Sequence, residues 1–142
     1  MNQNPHLRPS KTAVLLLNLG TPSAPTPKAV RAYLKEFLSD PRVVEIPRFI
    51  WWFILNGIIL PIRSSASAKK YASIWLPQLG SPLMHYSRLQ AKELQGKLNN
   101  EGHTVLVDLA MRYGKPSTQE VLETLKAEGM ERLLVLPLYP QY

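Results

Sequence analysis

The 142-residue chain has no cysteine. Disulfides, thiolate zinc sites, Cys-ligated iron–sulfur clusters and a cysteine nucleophile are therefore excluded within it. Its three histidines, His6, His85 and His103, lie far apart and show no ligand spacing. Neither G-x-G-x-x-G nor G-x-x-x-x-G-K-[ST] occurs, which argues against a Gly-rich dinucleotide or P-loop phosphate cradle. No carboxylate pair or Ser/His/Asp arrangement stands out, so the residues alone give no complete catalytic machine. The opening decapeptide, MNQNPHLRPS, lacks the apolar core of a signal peptide and reads as a frayed N-terminal arm. No internal repeat and no low-complexity tract is found. Acid is scarce: 10 Asp+Glu face 17 Lys+Arg, for a formal charge of +7. That balance favours polyanions, anionic membrane surfaces or carboxylate-bearing ligands, although the basic residues are dispersed as on any solvated basic surface.

The chain does have the alternation of a single α/β domain. Thr12–Leu19, TAVLLLNL, is a short continuous apolar run, the pattern of a strand buried on both faces. Gly20-Thr21-Pro22 breaks it, and Thr26-Pro27 opens a helix as N-cap and first-turn proline. Val30, Tyr33, Leu34, Phe37 and Leu38 share one face of that helix, which Ser39-Asp40-Pro41 ends. A further helix is expected to begin near Ser67, and another to run from Pro82 to about Leu98. His103–Met111 reads as the second strand. Ser117-Thr118-Gln119-Glu120 is a capping box, opening a helix that buries Val121, Leu122 and Leu125 and is capped by Gly129. Leu133–Leu138, LLVLPL, reads as a third buried strand. Right-handed crossovers between such strands give an open parallel sheet with helices on both faces. Ligands sit beyond the carboxyl ends of strands in such sheets. That rule selects Asn18–Pro22, Arg112–Gly114 and Tyr139–Tyr142, and a fourth strand is expected after the third.

At those ends, Gly20 lets backbone approach a ligand closely and Leu19 offers an apolar contact; a plain tight turn is the bland alternative. Arg112 can clamp a carboxylate and Tyr113 adds a flat face and a hydroxyl, which together suit a planar acidic ligand; Arg112 pairing with Asp108 or Glu120 is the bland alternative. Arg63, or Ser81 at the head of a long helix, could hold a second carboxylate. Phe49–Ile62, FIWWFILNGIILPI, is fourteen residues long, short of the roughly twenty a bilayer span needs. With its two Trp and flanking Arg42, Arg48, Arg63, Lys69 and Lys70, it reads either as a buried helix or as an exposed interfacial lip.

The strings LLLNLGTPSAPTPKAVRAYLKEFLSDPRVVEIPR, LPIRS, KKYASIW, GSPLMHYSRLQ, MRYGKPS and VLPLYPQY, in this order from about Lys11 to Tyr142, resemble the N-terminal part of the ferrochelatase family, most closely its Gram-negative bacterial branch. The resemblance covers less than half of a typical member. It implies a three-layer, Rossmann-like chelatase half-domain with a parallel sheet, truncated after the third strand. Residues 1–10 are then the arm and 11–142 an incomplete N-terminal chelatase domain, with a second chelatase domain outside this chain. It implies insertion of Fe(II) into protoporphyrin IX as the parent activity, with no cofactor in this chain. Protoporphyrin IX and the second domain are the implied partners. A cytoplasmic location with peripheral membrane contact is expected, and no nucleic acid.

Carried over residue by residue, Leu19 faces the macrocycle, with Gly20, Thr21 and Pro22 as the adjoining loop. Arg63 and Ser81 hold propionates, and Arg112, Tyr113, Tyr71 and Tyr139 line the pocket. The lip comprises Phe49, Ile50, Trp51, Trp52, Ile54, Leu55, Ile58, Ile59 and Leu60. Leu79-Gly80 stands where the family often has Gly-Gly before the serine. The family's catalytic His, in an S-x-H-G motif, and its partner Glu belong to the second half, so this chain alone is expected to be inactive. A sirohydrochlorin-type chelatase and a non-catalytic porphyrin or membrane-surface binder are the competing readings.

Overall fold

The structure is a computed structural model that describes residues 11–140. The expected arm at 1–10, and Gln141 and Tyr142 of the last selected segment, lie outside the described residues. The elements run β1 (Thr12–Gly20), α1 (Pro27–Leu38), α2 (Arg48–Ile54), a π-helical turn (Leu55–Ile59), α3 (Leu60–Ile74), α4 (Pro82–Asn100), β2 (Val105–Tyr113), α5 (Thr118–Ala127) and β3 (Arg132–Pro137). They divide into two compact units. Among the described residues, one holds 11–19, 87–112 and 116–140; the other holds 20–86 with 113–115.

The first unit carries one sheet of three parallel strands in the order β2-β1-β3. β1 and β3 are in register, with Leu15 opposite Val135 and Leu16 opposite Leu136. Ala13, Leu15 and Ala110 point to one face and meet Val121 and Leu125 of α5. Alternate side chains reach the other face, as a two-residue strand period requires. There Asn18 donates to Ser87 of α4 at 3.0 Å. The outer edge of β2 is also covered. The Gln95 amide of α4 donates to the Val105 carbonyl and accepts from the Val107 amide, bonding the strand as a neighbouring strand would. The expected capping box forms in full: Ser117 accepts from the Glu120 amide, and Glu120 accepts from the Ser117 amide.

Three expectations for this unit are corrected. Leu133–Leu138 reads as buried, yet every residue of β3 is exposed, Leu134 by 53%. β3 is an edge strand, and the strand residues packed on α5 come from β1 and β2. Leu122 is 38% exposed, not buried. It lies next to Val121, about 100° round a helix that turns only Val121 and Leu125 inward. Strand β2 also runs two residues further than expected, so that Arg112 and Tyr113 end the strand instead of following it.

The second unit is built on α1 and the long helix that packs on it. Thr26 caps α1 through the Ala29 amide, with Pro27 in the first turn, as the sequence predicts. The helix expected to begin near Ser67 does not begin there: helical backbone is continuous over Arg48–Ile74. The reason lies at Asn56-Gly57 and Pro61, residue types that ordinarily end or kink a helix. The chain absorbs them in one π turn, in which the Leu60 amide donates back to the Leu55 carbonyl. The extra residue in that turn also keeps one stripe facing inward. Leu55, Leu60, Ser64 and Ala68 are buried at spacings of five, four and four. In an uninterrupted α-helix Leu55 would align with Ile59 instead.

Candidate functional site

The strand order reverses at β1, and in open parallel sheets the crevice lies off the carboxyl ends at such a reversal. Within the first unit that end carries Leu19, Arg112 and Tyr139, all three half-buried. Asn18 sets the orientation of Leu19. Its carboxamide oxygen accepts the Leu19 amide at 2.8 Å while its nitrogen donates to Ser87. A buried Asn inside an apolar run is costly unless both ends of its amide are bonded. That cost is the sequence signal that Asn18 has a partner; Ser87, 69 residues away, carries no such signal. A hollow of about 640 Å³ opens at the other, amino-terminal ends of β1 and β2, lined by Lys11, Gln95, Asn99 and Thr104 among others. Its lysine already donates to the Glu128 carbonyl, and by the strand-end rule it lies at the wrong end of the sheet for the chemistry.

The second unit brings together Gly20, Thr21, Ser81 and Tyr113. Gly20 has φ +120°, and a Cβ added there would lie 1.9 Å from the Tyr113 carbonyl oxygen, so only glycine fits. The Tyr33 hydroxyl donates to the Gly20 carbonyl at 3.1 Å. Thr21 and Ser81 are buried, with their hydroxyl oxygens 2.8 Å apart. One hydrogen bond between two hydroxyls leaves one O–H free to donate elsewhere. Pro22, next in the loop, is buried. Ser81 immediately precedes α4, and its carbonyl accepts the His85 amide, which opens the helix.

Tyr113 is only 7% exposed. Its hydroxyl donates to Asp40 at 2.9 Å and its ring meets Phe37 edge-on at 5.1 Å. Phe37 in turn stacks on Tyr33 at 6.3 Å. Burial, with smaller contributions from Tyr71, Glu36 and Tyr113, pushes the Tyr33 hydroxyl well above its ordinary pKa. Burial also raises that of the half-buried Tyr71. Both are neutral donors at physiological pH. The apolar spacing of α1 puts Tyr33 on its packed face, but nothing in the sequence marks its bond to Gly20.

Arg63 is exposed in the first turn of α3, and its side chain has no hydrogen bond or ion pair among the described residues. The lip residues divide by face. Leu55 and Leu60 are buried, Trp51, Ile54 and Ile59 are half-buried, and Phe49, Ile50, Trp52 and Ile58 are exposed, Phe49 by 76%. The Trp51 indole donates to the Leu38 carbonyl at 2.6 Å, tying the helix to the end of α1. Phe49, Trp52 and Phe53 form an exposed edge-to-face aromatic group. Among the described residues, Arg48–Ile74 is the helix long and apolar enough to cross a membrane. Its apolar stretch, Phe49–Ile62, rises only about 21 Å against a hydrocarbon core of about 30 Å. No group of three His, Asp or Glu side chains that could hold a metal ion occurs among the described residues.

Residues 11–142 match the family model of ferrochelatase. The chain is 67% identical to a ferrochelatase of Herminiimonas arsenicoxydans over 93% of its own length and 36% of the relative's. It is 61% identical to one of Dechloromonas aromatica over 96% of its length and 37% of the relative's. Against one of Janthinobacterium sp. the identity is 65%, over 93% and 36%. The chain thus spans little more than a third of the length of the curated relatives it matches.

Proposed function

The chain belongs to the ferrochelatase family, and on that premise we propose that it is the N-terminal, porphyrin-holding half of an enzyme that inserts Fe(II) into protoporphyrin IX. The single observation that supports the reading best is the Gly20-Thr21 loop of the second unit. There backbone is held where no side chain could fit, beside a Thr21–Ser81 hydroxyl pair with one O–H to give. A flat dicarboxylate ring asks for such parts: close backbone approach to a face, and donors for its carboxylates. Arg63, exposed and uncommitted among the described residues, supplies a fixed cation for a propionate. By the resemblance, Leu19, Pro22, Tyr71, Arg112 and Tyr139 are contacts as well.

Metal insertion has two demands. Two pyrrole N–H protons must leave, which a positioned base assists. The ring must also be gripped in the distorted geometry that favours metal entry. The residues here are suited to gripping. Fe(II) is a substrate, and the proposal assigns it no ligand in this chain. The base and the second chelatase domain belong, by the resemblance, to the remainder of the relatives' length. The 142-residue chain by itself is then a binder without turnover.

Protoporphyrin IX fluorescence titration, run beside an Fe(II) or Zn(II) insertion assay, tests this. The expected result is saturable binding that Arg63→Ala weakens about tenfold, the scale of one charge-assisted hydrogen bond, with no insertion. Absence of saturable binding overturns the binding half of the reading, and turnover overturns the inactivity. A preference for an eight-carboxylate tetrapyrrole would favour a sirohydrochlorin-type ligand instead.

The exposed face of the lip, Phe49, Ile50, Trp52 and Ile58, supports a second element: peripheral contact with a membrane surface. The helix would lie in the interface, with Arg48, Arg63, Lys69 and Lys70 reaching anionic headgroups.

A further inference from the structure

Tyr113 enters by resemblance as a pocket-lining residue, yet its ring and its hydroxyl are both engaged inside its own unit. Its ring is 7% exposed and packed edge-on against Phe37. Its hydroxyl donates to Asp40 Oδ2 at 2.9 Å. The other Asp40 oxygen accepts the Arg42 amide at 2.9 Å, which fixes the carboxylate's orientation. The next residue is held as well: the Gly114 amide donates to Glu36 Oε2 at 3.1 Å. Glu36, on the last turn of α1, and Asp40, just beyond its end, thus grip the last residue of β2 and the first of the turn that follows it.

What that turn touches gives the grip its meaning. The Tyr113 carbonyl lies against the Gly20 α-carbon, closely enough that a Cβ would fall 1.9 Å from the oxygen. At Gly114, whose φ is +81°, an added Cβ would come within 3.1 Å of the Thr21 carbonyl. The turn is therefore the back wall of the Gly20-Thr21 loop, and Thr21 carries the hydroxyl paired with Ser81.

We propose that Tyr113 is a positioning residue and not a ligand contact: Asp40 and Glu36 clamp the Tyr113-Gly114 turn, which sets the Gly20-Thr21 loop and with it the Thr21–Ser81 donor pair. The proposal deepens the porphyrin reading and rests on it for what the loop contacts. It assigns roles to Asp40 and Glu36 and gives Tyr113 a role different from the one carried over by resemblance.

A mutant cycle separates these roles. Tyr113→Phe, Asp40→Ala, the double variant and Asp40→Asn are titrated with protoporphyrin IX. A hydrogen bond to a charged acceptor is worth roughly tenfold or more when lost. Tyr113→Phe and Asp40→Ala should each raise Kd about fivefold to tenfold, and the double variant should match the worse single, since both remove one interaction. Asp40→Asn keeps an acceptor oxygen and should stay within about threefold of the parent. Multiplicative losses, or a loss with Tyr113→Phe that Asp40→Ala does not share, mean that the hydroxyl touches ligand and overturn the proposal. Unchanged Kd in all four variants, beside a shared loss of stability in urea, overturns it too, because the grip is then structural only.

A parent chain that binds no porphyrin defeats the functional reading without deciding this one. Hydrogen exchange then decides it on the unliganded protein. Tyr113→Phe and Asp40→Ala should speed exchange at the Gly20, Thr21 and Gly114 amides about tenfold and leave Val121 of α5 unchanged. Unchanged exchange at Gly20 and Thr21 rejects the clamp.

Discussion

β1 and β3 are hydrogen-bonded neighbours of nearly the same composition and opposite circumstances. TAVLLLNLG and RLLVLP pair in parallel and in register from Thr12 opposite Arg132 to Leu17 opposite Pro137. Ala13, Val14, Leu15 and Leu16 of β1 are buried, whereas no residue of β3 is. β1 has a strand on each side and α5 on one face; β3 has β1 on one side only. An apolar strand pattern thus records the environment a strand is suited to, and burial follows only where other elements supply that environment. The opposite edge makes the same point. β2 is also an edge strand, but the Gln95 amide bonds the Val105 carbonyl and the Val107 amide there. β3 carries no acidic residue and, among the described residues, no comparable cover. A bare apolar edge of this kind invites pairing with another chain.

The same charge placed in both strands should have very different consequences. Leu15→Lys buries an unpaired cation among Ala13, Ala110 and Val121 and should remove about 4 kcal/mol or more of stability. Leu134→Lys, on a residue 53% exposed, should change stability by less than about 0.5 kcal/mol. It should also reduce concentration-dependent self-association by interrupting a hydrophobic edge. Urea unfolding and light scattering read the two effects. Equal losses of stability in the two variants would mean that β3 is covered in solution.

The same contrast sets the limit of what the residues alone disclose. β1, the Thr26-Pro27 helix start and the Ser117–Glu120 box are legible because each is decided by neighbours in sequence: an apolar run, a capping oxygen, a three-residue spacing. The exposure of β3 is not, because it depends on which element lies over it. The continuity of Arg48–Ile74 is hidden for a different reason, since Gly57 and Pro61 punctuate most helices and here are accommodated by one π turn. Of the site, Gly20, Thr21 and Ser81 are visible as loop residues at strand and helix ends. The partners that hold them, Tyr33 for Gly20 and the Asp40–Tyr113 bond across 73 residues, are matters of tertiary contact. Tyr113 shows the cost of reading a residue type without its surroundings: an aromatic hydroxyl beside a strand end suits a ligand, but this one is committed to Asp40.

A second bare apolar surface, the lip, differs from β3 in charge. Phe49, Trp52 and Phe53 stand out from a helix that also carries Arg48, Arg63, Lys69 and Lys70. Apolar area plus cations favours an anionic interface. Flotation with vesicles containing phosphatidylserine should recover the protein. Phe49→Ser with Trp52→Ser should lower its partition about tenfold or more, the expected order for withdrawing two aromatic side chains from the interface. Stability should change little, because both side chains are more than half exposed. Leu134→Lys should leave flotation unchanged. If it lowers flotation as much as the lip pair does, the two surfaces are not distinct in kind.

The smallest effect concerns the covered side of the comparison and is read by pH. Tyr33 is buried between Phe37 and the Gly20 carbonyl, and burial raises its pKa above the ordinary value of about 10. Tyr71 is raised by burial too. Above pH 10 the unfolded chain releases these protons while the folded chain retains them, so the unfolded state binds fewer protons and stability falls as pH rises. Tyr33 contributes at most about 1.4 kcal/mol per pH unit, beginning near pH 10 and ending at its folded-state pKa, and the more exposed Tyr71 adds to the decline in the same direction. The contribution is fully present below pH 10, so stability between pH 7 and 9 should be insensitive to either residue's titration. Tyr33→Phe removes its share of the alkaline slope and also the bond to Gly20, so it should lower stability at pH 7 by about 1 kcal/mol while flattening the decline above pH 10. Urea midpoints at pH 7, 9, 10 and 11 separate the two. A slope unchanged by Tyr33→Phe would mean that the hydroxyl is open to water and that the wall behind the Gly20 loop is not closed.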